Sequence, residues 1–133
     1  MALGILLDYQ SDDQSRKQSV IRLKSSNEFN RVEPVLGFIG AGNYASRVLI
    51  PAFKKAGGQL HTICTNRGVN SVVHGRRSGF TNAATDTDTI FSNNVINTAI
   101  IVTKHNSHAD FVIKGLKAGK NIWVEKPLCI DMP

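Results

Sequence analysis

Short apolar runs along the chain are separated by stretches in which apolar residues recur at helical spacing. After Pro34 the run Val35-Leu-Gly-Phe-Ile39 has the unbroken character of a strand buried on both faces. From Asn43 to Ala56 the residues Tyr44, Val48, Leu49, Ala52, Phe53 and Ala56 fall at helical spacing, and Gly57-Gly58 closes the segment. Pro51 lies inside it, so the helix either kinks there or starts late. Gln59–Thr65 reads as a second strand, Val69–Arg77 as a short helix ended by Ser78-Gly79, and Phe80–Ala84 as a third strand. A helix opens at Thr85-Asp-Thr-Asp88, whose side-chain oxygens can cap free N–H groups. Val95–Val102 reads as a strand rich in branched residues, and His108–Ala118 as an amphipathic helix with Phe111, Val112, Gly115 and Leu116 inward, capped by Gly119. Asn121–Val124 is the last strand.

Strands alternating with helices predict an α/β fold, a doubly wound parallel sheet of the Rossmann type spanning residues 34–133. Residues 1–33 differ. Leu3–Leu7 and Val20–Leu23 read as two short strands around the polar run Ser11–Ser19, and Lys24–Glu33 as a linker. Two strands alone are not stable in water, so they are expected to pair with the same strands of a second copy or to dock on the edge of the sheet.

Ligands of doubly wound sheets bind beyond the carboxyl ends of the strands, which here carry Gly40-Ala-Gly42, Thr65-Asn66-Arg67, Thr103 to His108, and Glu125-Lys126. In the first turn, Gly40 permits the tight exit from the strand, Gly42 removes a Cβ from the path of a pyrophosphate, and Ala45 permits close packing of helix on sheet. The helix that follows offers free N–H groups and its positive end to phosphates. Asn43 and Tyr44 are expected to line that site. A dinucleotide cofactor is the expected ligand; a plain structural turn is the alternative. The carboxylate that grips the ribose diol in NAD-selective folds stands about 20 positions beyond the glycines. Here no Asp or Glu occurs between Glu33 and Asp86, and the second strand runs into Asn66 and Arg67 instead. An arginine there suits a 2′-phosphate, so NADP is favoured over NAD.

Composition narrows the partners. The formal charge of +6 raises nucleic acid as a ligand, but Lys and Arg are scattered in small groups with no basic stripe interleaved with aromatics, so nucleic acid is not expected. No apolar run approaches the roughly 20 residues of a membrane span. Cys64 and Cys129 lack metal spacing and read as buried thiols, which points to a reducing cytoplasm. His105 and His108 lie three apart, but no third ligand is near, and no metal is expected.

Gly37-Phe-Ile-Gly-Ala-Gly42, Ala99-Ile-Ile-Val-Thr103 followed by His108, and Ala118-Gly-Lys-Asn-Ile-Trp-Val-Glu-Lys-Pro127 together resemble the Gfo/Idh/MocA family of NAD(P)-dependent oxidoreductases, over about residues 34–131. The resemblance implies hydride transfer to or from a ring hydroxyl of a sugar, polyol or nucleotide sugar. It implies that Lys126 contacts the substrate hydroxyl beside the nicotinamide while Glu125 and Pro127 hold the turn, and that His108, with Thr103, borders the nicotinamide. A lysine at a strand end can polarise the reacting oxygen and exchange a proton; the alternatives are a surface Lys126 between structural neighbours and a His108 that caps a helix. Family members continue with a substrate domain that is not in this chain, so the piece is expected to be inactive alone. A non-catalytic dinucleotide-binding or regulatory module is the competing expectation. Leu3-Gly-Ile-Leu-Leu-Asp-Tyr9 and Val20-Ile-Arg-Leu23 resemble the junction of two-module proteins in which a zinc alcohol-dehydrogenase-like module comes first, which implies association of copies through these exposed strands or their docking on the sheet's own edge.

Overall fold

The computed structural model describes residues 18–25 and 28–130; the expected strand Leu3–Leu7 lies outside them. Six strands form one sheet: β1 (Val20–Arg22), β2 (Val35–Ile39), β3 (Gln59–Cys64), β4 (Asn82–Ala84), β5 (Thr98–Ile101) and β6 (Asn121–Val124). Their spatial order is β1-β4-β3-β2-β5-β6. The five pairings differ only at the edge, where β1 runs antiparallel to β4 and all the others are parallel. Among the parallel strands this is the Rossmann order, with the chain reversing direction across the sheet at β2 and β5.

Every residue of β2 is buried, because helices cover both faces of the sheet. On one face, α1 (Ile50–Lys55) and α2 (Gly68–Ser78) cover a cluster containing Leu36, Phe38, Ile63, Phe80 and Ile100. Aromatic rings run through it edge to face, Phe38 to Phe53 at 5.8 Å, Phe38 to Phe80 at 5.6 Å and Phe53 to Trp123 at 5.5 Å. On the other face, α3 (Asp88–Phe91) and α4 (His108–Lys117) meet Ile39, Ala99, Ile101 and Ile122.

Several boundaries differ from the periodicity, each for a local reason. The helix around Pro51 is continuous but passes through a π turn, Ala45–Leu49, before α1. The wider turn moves carbonyls out of the way of the proline ring, which also lacks an N–H to donate. The strand expected from Val95 is only Thr98–Ile101, because Asn93 Oδ1 accepts the Val95 N–H at 2.9 Å and turns the chain. On α4 the inward stripe is His108, Phe111, Val112 and Gly115, while Leu116 is 62% exposed, one step too far around the helix. Cys64 is buried as expected; Cys129 is half-buried, beyond the last strand.

The N-terminal segment belongs to the same sheet. Of the two pairings expected for Val20–Leu23, the second occurs: β1 docks on β4, and Leu23 packs on the core. The linker is tied down as well. Gln59 exchanges two hydrogen bonds with the Asn30 backbone at 2.9 and 2.7 Å, and Asn97 Nδ2 donates to the Glu33 and Arg31 carbonyls at 2.9 and 3.2 Å. Among the described residues no helix is long and apolar enough to cross a membrane.

Candidate functional site

Where the chain reverses across the sheet, the loops after β2 and β5 lead to opposite faces and leave a crevice between them. A cleft of about 800 Å³ occupies this place, lined by the turn Gly40–Gly42, by Thr65, Asn66 and Arg67 after β3, and by Thr103 and Ser107 after β5. Its floor includes Ile39, Cys64 and Val102.

Gly40 has φ +104°, and a Cβ there would stand 2.5 Å from the Val102 carbonyl oxygen. Only glycine fits, so the turn lies flat against the neighbouring strand end. At Gly42 a Cβ would meet nothing within 4 Å, and the backbone faces open space. The Ser46 N–H bonds back to the Gly42 carbonyl at 2.9 Å, so the amides of the first turn have no partner further back within the helix. They form the positive end of a helix running from Asn43 to Lys55. Such a bend, with exposed amides and no Cβ in the way, suits a diphosphate.

The other rims are held by short hydrogen bonds. Thr65 Oγ1 donates to the Arg67 carbonyl at 2.6 Å, which fixes the loop that carries Arg67. Thr103 Oγ1 and Ser107 Oγ lie 2.6 Å apart, and Ser107 Oγ also donates to the Lys104 carbonyl at 2.8 Å. Burial, with the Asp86 carboxylate adding to it, pushes the Cys64 thiol up to about 11, so it stays protonated in the cleft floor at neutral pH.

His108 is fully buried beside the cleft. Its Nδ1 faces the Pro127 carbonyl at 2.8 Å and its Nε2 the Thr103 carbonyl at 3.0 Å. The ring therefore ties the loop after β5 to the turn after β6. Lys126 stands exposed in that turn, its N–H bonded to Glu125 Oε2 at 3.2 Å, and its bond to Pro127 is cis. The His105 and His108 rings are 5.6 Å apart, and among the described residues no three metal-ligating side chains converge.

Of the residues singled out in the sequence, Gly40, Gly42, Asn66, Arg67 and Thr103 line the cleft. Ala45 is buried against the sheet, Tyr44 is 54% exposed, and Asn43 faces a separate groove with Arg47 and Arg77. Glu125 and Lys126 lie past the end of β6, outside the cleft lining. Pattern reading missed Asn70, Thr87 and Phe111, which also line it. They come from α2, the loop before α3 and α4, and no local motif marks them.

This is the architecture of a dinucleotide-binding Rossmann domain. The chain belongs to the Gfo/Idh/MocA oxidoreductase family with an NAD-binding Rossmann fold, whose family model matches residues 35–132. It is 30% identical over 96 residues to "Oxidoreductase P35" of Formosa agariphila, covering 71% of this chain and 30% of that protein. Levoglucosan dehydrogenase, solved with NADH and L-sorbose, is 27% identical with a TM-score of 0.65, over 73% of this chain and 28% of that one. A 3-ketoreductase from Actinomadura kijaniata, solved with NADP and TDP-benzene, shares the fold at 23% identity and TM-score 0.69, over 74% of this chain and 31% of that one. The chain thus spans under a third of the length of the relatives it matches.

Proposed function

We infer that the chain is the nucleotide-binding portion of an oxidoreductase that moves a hydride between a nicotinamide dinucleotide and a ring hydroxyl of a sugar, polyol or nucleotide sugar. One observation carries this reading: the cleft at the sheet's reversal point has an open glycine bend at one side and Asn66-Arg67 at another. The nicotinamide supplies the hydride chemistry, and the protein supplies orientation and electrostatics. In this reading the first-turn amides and Gly42 receive the diphosphate, Asn66 and Arg67 meet the adenosine ribose, and Thr103 borders the nicotinamide ribose. Asn43 and Tyr44 shape the helix end from outside the cleft, and Ala45 sets how closely that helix lies on the sheet. Lys126 holds the substrate hydroxyl and exchanges its proton, on a turn braced by Glu125. His108 serves by holding the Thr103 and Pro127 carbonyls in register. The L-sorbose bound in levoglucosan dehydrogenase supports the substrate class.

With no carboxylate beside Arg67 in the cleft lining among the described residues, the pocket favours a 2′-phosphate, and thus NADP over NAD. Calorimetric titration with each cofactor tests this. NADP is expected to bind more tightly, and Arg67→Ala to weaken NADP roughly tenfold or more while leaving NAD nearly unchanged. Equal affinities, with no effect of the substitution, would overturn the preference. Turnover of a sugar alcohol by the longer protein distinguishes an oxidoreductase from a module that only binds the dinucleotide.

A further inference from the structure

A second cavity, of about 280 Å³, opens at the amino-terminal end of the sheet, opposite to the dinucleotide cleft. Arg22, Phe29 and Arg31 line it from the N-terminal segment, and His61, Thr81 and Asn82 from the sheet. The first three lie outside residues 35–132, so the family fold does not account for the cavity. It exists because β1 docks on β4 and because Gln59 and Asn97 pin the segment carrying Arg31.

Its chemistry is one-sided. Two guanidiniums, an imidazole and an amide line it beside the apolar Phe29 and Val95, and among the described residues no carboxylate does. His61 reaches this place through a β-bulge: pairing shifts from Leu36↔Leu60 to Gly37↔Thr62, leaving His61 as the extra residue. The Phe29 ring leans on the imidazole with centroids 4.7 Å apart. Thr81 is 2% exposed, and its hydroxyl is buried without a hydrogen-bond partner among the described residues.

We propose that this cavity is a second ligand site, which takes a small oxyanion against the Arg22 and Arg31 guanidiniums, with His61 and Asn82 on the sheet side. Guanidinium forks match the paired oxygens of phosphate and carboxylate. The volume admits such a group together with its water and is well short of the space in the dinucleotide cleft. The site stands on residues the cleft does not use, so it holds whether or not the proposed reaction does.

Two-dimensional amide NMR of the full chain, titrated with inorganic phosphate and separately with acetate at constant ionic strength, tests it. Amide shifts at His61, Thr81 and Asn82 are expected to saturate with at least one anion, and the anion that saturates them identifies the preferred chemistry. Arg22→Ala and Arg31→Ala, both at exposed positions, are expected to weaken that binding roughly tenfold each. Arg67→Ala, at the dinucleotide cleft, should not change it. Shifts that rise linearly and spread over the basic surface, or an affinity unchanged in both arginine variants, would overturn the site.

Discussion

Gly40 and Gly42 stand two residues apart and face opposite demands. A methyl group at Gly40 meets the Val102 carbonyl at 2.5 Å in a left-handed backbone, whereas one at Gly42 meets nothing. Gly40→Ala is therefore expected to cost about 2 kcal/mol or more in urea unfolding. Gly42→Ala should leave the urea midpoint nearly unchanged and show its effect in dinucleotide affinity instead, because the added Cβ occupies the space offered to the diphosphate. His61 makes a prediction in pH. Burial holds its pKa in the folded chain below the ordinary 6.5. The unfolded chain then binds more protons, so stability is complete above about 6.5 and is lost as pH falls from there through the folded value. Urea midpoints measured from pH 8 to pH 5, in buffers free of phosphate and carboxylates, should fall in acid, and His61→Gln should flatten that slope.

At the level of elements, side chains act as ties between loops and strands. Lys120, 8% exposed in the connection from α4 to β6, donates from Nζ to the Asn93 and Ile96 carbonyls at 2.7 and 2.8 Å. It holds the turn before β5 against the entry to β6. Burial, and the Arg31 charge behind it, lowers its pKa, so the ammonium is retained at a cost that the two carbonyls offset. Lys120→Met keeps the stem and removes the donor; about 2 kcal/mol of destabilisation in chemical unfolding is expected, since two carbonyls lose their partner. His108 is the comparable tie at the functional end, spanning 19 residues to Pro127. By contrast the Lys114–Asp88 pair between α4 and α3 is 45% exposed on one side and 63% on the other and contributes little.

For the whole molecule, the N-terminal strand closes one edge of the sheet and supplies Leu23 to the core. A chain beginning at Lys24 loses both. Its thermal midpoint is expected to fall by several degrees, by roughly 4 °C for each kcal/mol lost in a domain of this size. The bare β4 edge should also promote concentration-dependent association in sedimentation velocity. A truncated chain that is as stable and as monomeric as the full one would show that β1 is a passenger.

Local chemistry in the sequence determined the order and type of elements, the glycine bend and the Thr65-Asn66-Arg67 rim, because each rests on neighbours within a few residues: an apolar run, a turn that tolerates no Cβ, an absent carboxylate. Residues brought together from distant parts of the chain were decided only by the tertiary structure. Asn70, Thr87 and Phe111 in the cleft, the burial of His108 between two carbonyls, and the Lys120 clasp follow from which strands become neighbours. The same holds for β1, whose short run of residues could equally have paired with another chain until the exposed edge of β4 was in place beside it. Periodicity records whether a side chain must be covered; it carries no information on what covers it.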